Sequence, residues 1–123
     1  MQALVLAGGE GTRLRPLTYT TPKPVLPLAG RPFLSFMLDW LKGHGVTEVI
    51  LSCGFMSDGV HQVLGDMYGG MRLRYAIEEE PLGTAGPVRL ALDEGLLHDT
   101  LFVLNGDVLN DMDLTAQLAW HTQ

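Results

Sequence analysis

At 123 residues, 46% of them apolar, the chain can bury one core, so one compact domain or a piece of one is expected. A formal net charge of −6 excludes a general binder of nucleic acid or anionic membrane, since either needs a surplus of Lys and Arg on one face. The single cysteine excludes an internal disulfide, no apolar run approaches the roughly 18 to 20 residues that cross a bilayer, and the N-terminus lacks the form of a signal peptide. A soluble protein of the reducing cytoplasm is the expectation.

Residues 2–7 (QALVLA) form a short apolar run closed by glycines, the pattern of a strand buried on both faces. From residue 32 to 44, Phe33, Phe36, Met37, Trp40 and Leu41 recur at helical spacing, and Gly43 and Gly45 supply the stop. These aromatics are expected in the core. Residues 47–52 (TEVILS) predict a second strand, and Cys53 behind it reads as a small buried apolar residue among Ile50, Leu51 and Phe55 rather than a nucleophile. A short helix over 57–64, capped by Ser57 or Asp58, precedes an alternating strand over 71–78 (MRLRYAIE). A helix over 84–96, a buried strand over 101–105 (LFVLN) and an amphipathic helix opened by Asp113 follow. That last helix, with Leu114, Leu118 and Trp120, carries no stop signal, so the sequence reads as cut in mid-domain. Strand and helix alternate throughout, which predicts an α/β fold with a mostly parallel sheet covered by helices on both faces. Ligands of such sheets sit outside the carboxyl ends of the strands.

One connection breaks the pattern. Between Ala7 and Pro32 the chain runs far beyond the roughly 2 to 6 residues usual for such loops. Five of the seven prolines lie in it, Pro32 at its end included, so it is stiff, and four of the eight basic residues (Arg13, Arg15, Lys23 and Arg31) fall where no acidic residue occurs. It is a local positive segment on an acidic protein. Gly8, Gly9 and Gly11 directly after a buried strand let the backbone approach a ligand and aim N–H groups at it, which suits a polyphosphate. Arg13 and Lys23 add charge, and Pro22 and Pro24 hold Lys23 on an extended backbone. Arg15 fits a surface salt bridge as well as a ligand contact. Neither a Walker A loop nor a dinucleotide fingerprint fits, because Gly11-Thr12-Arg13 stands where the first needs Gly-Lys-Ser/Thr and Leu14 where the second needs Gly or Ala.

Residues 6–24 (LAGGEGTRLRPLTYTTPKP) resemble the signature of the sugar-1-phosphate nucleotidylyltransferases. Residues 78–87 (EEEPLGTAGP) resemble that family's base-binding turn, and residues 104–109 (LNGDVL) its metal-binding strand end. The resemblance implies a Rossmann-like fold of the nucleotide-diphospho-sugar transferase type, with residues 1–123 as its N-terminal, nucleotide-binding part and the sugar-binding part absent. The implied reaction is attack of a sugar-1-phosphate oxygen on the α-phosphorus of a nucleoside triphosphate, with pyrophosphate leaving. By the same resemblance Leu6, Ala7, Gly8 and Gly9 contact the nucleoside, while Gly11, Thr12, Arg13 and Lys23 hold the phosphates. Arg13, Lys23 and Asp107 would then be catalytic, the cations stabilising charge that grows on the departing pyrophosphate.

Asp107 is the expected ligand of Mg2+, a hard ion held by one or two carboxylates plus phosphate oxygens. Asp113 reads as a helix cap and Asp111 as a turn residue. In the base-binding turn, Pro81, Gly83 and Thr84 would bring backbone against a flat base. Glu78 falls where thymidylyl-transferring relatives commonly place Gln. A carboxylate only accepts hydrogen bonds and guanine offers two donors on its Watson–Crick edge, so Glu78 leans toward a purine. The turn resembles mannose-1-phosphate and heptose-1-phosphate guanylyltransferases, which ranks GTP with either sugar phosphate first. Alternatives are a glucose-1-phosphate thymidylyl- or uridylyltransferase, and a nucleotide-binding module without catalysis of its own. His44, His61, His98 and His121 lack ligand spacing and read as surface or helix-end residues. No nucleic-acid or membrane partner is expected; an exposed sheet edge would favour association with further copies.

Overall fold

The computed structural model describes residues 1–9, 11–54 and 56–123. Glu10, inside the glycine segment, and Phe55, one of the apolar neighbours expected around Cys53, lie outside the described residues.

The central strand is β1 (Gln2–Leu6), nearly all of it buried. Short 3-10 turns at Thr12–Leu14 and Lys23–Val25 and a small hairpin of β2 (Pro27–Leu28) and β3 (Arg31–Pro32) follow. The chain continues through α1 (Phe33–Gly43), β4 (Glu48–Cys53), α2 (Ser57–Leu64), β5 (Met67–Tyr68), β6 (Met71–Ile77), α3 (Ala85–Asp93), β7 (Leu101–Asn105) and α4 (Leu114–His121). The long connection is therefore folded into tight turns, which its prolines permit because Pro presets φ and fits the first positions of a turn.

The main sheet runs β5-β6-β4-β1-β7. β1 pairs in parallel with β4 on one side and β7 on the other, Leu6 lying level with Ser52 and Asn105. β6 pairs in parallel with β4, and only the short β5 is antiparallel. β5 escapes the sequence pattern because two residues cannot display an alternation; the Gly69-Gly70 turn, both residues at positive φ, folds it back on β6.

Alternate residues of each strand feed two cores, as a sheet covered on both faces requires. Ala3, Val5, Val49, Leu51, Cys53 and Leu73 face α1 and α2, packing on Leu34, Met37, Leu38, Leu41, Val60 and Leu64. Leu4, Ile50 and Ala76 face α3 and pack on Ala91. Cys53 is buried as expected, and burial pushes its thiol up to about 12. Among the described residues no helix is long and apolar enough to cross a membrane.

Three local expectations are corrected. The core stripe of α1 is Leu34, Met37, Leu38 and Leu41, while Phe33, Phe36 and Trp40 sit at its margin, half-buried. Phe36 lies under the Arg31 guanidinium, 4.3 Å from ring centroid to Cζ, and the Trp40 indole N–H donates to the carbonyl of Met112 at 3.0 Å. Both rings thus serve polar partners at an edge, which large amphipathic rings can do. Second, α2 has no side-chain cap: Met56 at its start is in the left-handed region, and Ser57 and Asp58 lie inside the helix. Third, Trp120 is exposed, and Leu114 is the buried residue of α4. Asp113 does cap α4, accepting from the Ala116 amide at 3.0 Å, and the Asn110 side chain, rather than Asp111, makes the local turn bond, to the Met112 amide.

Candidate functional site

The chain leaves β1 to one side, through β4 and β6, and later returns on the other side as β7, so the order of strands reverses between β1 and β7. Crevices in open α/β sheets form at that point, outside the carboxyl ends of the strands. A cleft of about 410 Å3 lies there. Its walls are the end of β1 and the glycines after it (Leu6, Ala7, Gly8, Gly9), Lys23 and Pro24, Glu78 after β6, the turn Pro81 to Thr84 with Pro87, and Asn105, Gly106 and Asp107 after β7.

Lys23 and Asp107 meet across the cleft, Nζ to Oδ2 at 3.0 Å, from positions 84 residues apart. Each is held from behind. Pro22 is extended and the 3-10 turn over Lys23–Val25 buries Pro24 and Val25, which anchors the lysine's backbone. Gly106 donates its amide to the Leu6 carbonyl at 2.9 Å, and a Cβ there would stand 3.0 Å from that carbonyl oxygen and 3.1 Å from Val5. Only glycine lets β7 run this close to β1 and so deliver Asp107 to the loop. Both charged groups remain partly exposed, so the pair itself adds little to stability. An ammonium already sits against this carboxylate, and one carboxylate facing a space open to phosphate oxygens suits a hard divalent ion. Among the described residues no cluster of three or more His, Cys, Asp or Glu could hold a metal without such help.

Glu78 is set by a different frame. Its Oε1 accepts from the Ser52 hydroxyl at 3.0 Å and its Oε2 from the Leu82 amide at 3.3 Å. A Cβ on Gly8 would lie 2.6 Å from Glu78 Oε1, so the carboxylate stands directly over the bare backbone of Gly8. The middle residue of the Glu-Glu-Glu run is not needed for this; Glu79 and Glu80 are away from the cleft lining.

Gly11, Thr12 and Arg13 are not part of that lining. Gly11 is in the left-handed region at φ 62°, and its Cβ position is 2.8 Å from the Thr18 side chain, so a glycine is required on two counts. Thr18, almost fully buried, donates to the Gly11 carbonyl at 2.7 Å and closes the loop, turning Arg13 outward into solvent. The basic segment is thus divided. Lys23 faces the cleft, Arg15 lies over the Tyr19 ring at 5.2 Å, and Arg31 serves the scaffold by bonding Asp39, Tyr68 and Ser35. The Arg31 hydrogen bond holds the Asp39 carboxyl below its ordinary value. Thr18, Ser52 and Asn105 were missed by sequence reasoning. Asn105 precedes Gly106 and Asp107 in the quoted strand end and could have been found there, whereas nothing local marks Thr18 or Ser52.

The sequence profile of the family described as Nucleotidyl transferase matches residues 2–123. The chain is 39% identical over 115 residues to a D-glycero-alpha-D-manno-heptose 1-phosphate guanylyltransferase of Campylobacter jejuni, covering 94% of this chain and 51% of that protein. It is 43% identical over 122 residues to a mannose-1-phosphate guanylyltransferase of Mycobacterium tuberculosis, covering 98% of this chain and 34% of that protein. Among solved structures, HddC from Yersinia pseudotuberculosis complexed with GMP-PN superimposes with a TM-score of 0.82 at 32% identity, over 97% of this chain and 53% of the other. The chain therefore spans a third to a half of the length of these relatives.

Proposed function

Since the chain belongs to the nucleotidyl transferase family, we propose that its cleft binds a nucleoside triphosphate, GTP first, for transfer of the nucleotidyl group to a sugar 1-phosphate. The observation that carries this is the meeting of Lys23 and Asp107 at 3.0 Å beside the bare backbone of Gly8 and Gly9. A cation-and-carboxylate pair at a glycine-lined sheet end is what phosphoryl transfer uses, because its catalysis is mostly positioning and charge stabilisation.

In this reading the nucleoside lies over Leu6 to Gly9, with its base against the Pro81 to Thr84 turn and the Glu78 carboxylate. Lys23 moves from Asp107 to a phosphate oxygen, keeping its charge partnered throughout. Arg13, exposed at the outer end of the glycine loop, meets the distal phosphates where they leave the cleft. As the bond between the α- and β-phosphates breaks, charge accumulates on the pyrophosphate, and both cations stabilise that charge more than they stabilise the bound substrate. Asp107 would hold a divalent ion, Mg2+ being the expected one; when bound, it would neutralise phosphate charge. GTP is favoured over dTTP or UTP because a carboxylate accepts from the two donors of guanine, and the two guanylyltransferase relatives agree with this. Heptose 1-phosphate or mannose 1-phosphate is the proposed acceptor for the full-length protein. The 123 residues by themselves are read as its nucleotide-binding part, acting in the cytoplasm.

Titration of the chain with GTP, dTTP and UTP in the presence of Mg2+ tests the reading, together with pyrophosphate release on adding each sugar 1-phosphate. GTP binding tighter than dTTP or UTP by tenfold or more is expected. Absence of binding by all three would refute it.

A further inference from the structure

Ser52 is fully buried at the end of β4, level with Leu6 on β1 and Ala76 on β6. It is the one hydroxyl in this strand, between Val49, Ile50 and Leu51 on one side and Cys53 on the other. Its hydroxyl donates to Glu78 Oε1 at 3.0 Å. The second carboxylate oxygen takes the amide of Leu82, from the turn that walls the cleft, at 3.3 Å. Each oxygen is thus fixed by one donor from the protein. A carboxylate offers about four acceptor positions, so one remains on each oxygen. Gly8, without a side chain, lets Oε1 stand against its backbone, where a Cβ would lie 2.6 Å from it.

We propose that Ser52 is a positioning residue for nucleotide selection: it locks the plane of the Glu78 carboxylate so that both oxygens face a pair of adjacent donors, the N1–H and 2-amino group of a guanine-type base. This rests on the reading of the cleft as a nucleotide site. A rotating carboxylate would still attract a single donor, but a two-point match needs both oxygens held at one angle, as bidentate pairs in general do. Hypoxanthine has the N1–H and lacks the 2-amino group, so it loses one of the two points. Adenine presents an acceptor at N1, which faces a carboxylate oxygen with no proton between them, and is rejected more strongly. Ser52 itself is covered by Glu78 and touches no ligand. Its influence is confined to discrimination between bases.

The test is equilibrium binding of GTP, ITP and ATP to the chain and to its Ser52→Ala, Glu78→Gln and doubly substituted variants, with thermal melting of each. The unsubstituted chain should bind GTP about tenfold tighter than ITP, the worth of one hydrogen bond to a charged group. Ser52→Ala should bring that ratio to within about threefold while ITP affinity changes less than twofold. In the Glu78→Gln background the serine substitution should have no further effect on the ratio. Should Ser52→Ala melt below the assay temperature, Ser52→Cys, of similar size and a weak donor, takes its place with the same expectation. Equal weakening of GTP and ITP, or no change in either, would mean that Ser52 only fills space and would overturn the proposal while leaving the cleft a nucleotide site. Failure of the unsubstituted chain to bind any of the three would remove the cleft reading and this inference together.

Discussion

The carboxyl end and the flank of strand β7 present opposite kinds of surface. At its carboxyl end, Asn105, Gly106 and Asp107 join a cleft whose polar groups are tied to elements far away in sequence: Asp107 to Lys23, Gly106 to Leu6, and nearby Glu78 to Ser52. Along its flank, β7 is paired only with β1 among the described residues, and a second groove of about 440 Å3 runs between it, Trp40 and α4. Val103, Val108 and Met112 are half exposed there and Trp120 is 77% exposed. The cleft is preorganised because Lys23, Asp107 and Glu78 are each held by a hydrogen bond and Gly8 and Gly106 by a steric limit. The flank is held by few contacts, chiefly buried Leu114, the Asp113 cap, the Trp40 to Met112 bond and the His44 to Thr115 bond at 2.8 Å. Stability is uneven across a fold, and regions with few buried apolar contacts open first. Binding at the cleft and local order at the flank should therefore respond to different substitutions.

The largest expected effect tests whether the cleft extends beyond its present walls. Arg13→Ala should lower turnover of the full-length protein by roughly 10²-fold, by analogy with loss of a single transition-state donor. Pyrophosphate release measures this, and a change under threefold would confine the working site to Lys23 and Asp107. Next is Gly8→Ala. Its Cβ would meet Glu78 Oε1 at 2.6 Å, so the carboxylate must swing off Ser52, and GTP affinity should fall about tenfold with the loss of one charged hydrogen bond. Calorimetric titration would read it, and an unchanged affinity would detach Glu78 from base binding.

A smaller effect should fall on the flank alone. Asp113→Ala removes the α4 cap at a cost of about 1 kcal/mol, visible as faster amide exchange in Leu114–His121. GTP affinity should not move; if it did, the cleft and the flank of β7 would be coupled. The smallest concerns acid. Because Arg31 holds the Asp39 carboxyl below its ordinary value, the folded chain releases that proton more readily than the unfolded chain does. The resulting stability is complete above about pH 4 and is lost as pH falls through the unfolded value toward the folded one. The melting temperature of an Asp39→Asn variant should lose less between pH 5 and pH 3 than that of the parent, and salt should narrow the gap, since the pair is half exposed.

The main strands and helices were legible because their signals are local. Alternation in MRLRYAIE and the apolar runs QALVLA and LFVLN need only nearest neighbours to be read, and they became β6, β1 and β7, although β7, expected to be buried, is a part-exposed strand at the end of the sheet order, with Val103 half exposed. The glycine segment was legible for the same reason, since steric freedom belongs to each glycine by itself. Aromatic placement was not: Phe36 and Trp40 keep helical spacing, but the stripe of α1 that faces the sheet is set by Leu34, Met37, Leu38 and Leu41. Spacing specifies a face and leaves open which of two adjoining faces turns inward. Nor could charge alone sort the basic segment, in which Arg31 is taken by Asp39 and Tyr68 while Lys23 is left to the cleft.

The sequence by itself determined the order of strands and helices, the stiff glycine-and-proline connection after β1, and the residue types available for phosphate chemistry. Tertiary structure alone decided that Lys23 meets Asp107 and that Ser52 meets Glu78, because those encounters depend on which strands lie side by side and in what register. Backbone preference acts over a few residues, whereas strand order and register are settled by burying two cores at once, and that requirement involves the chain as a whole.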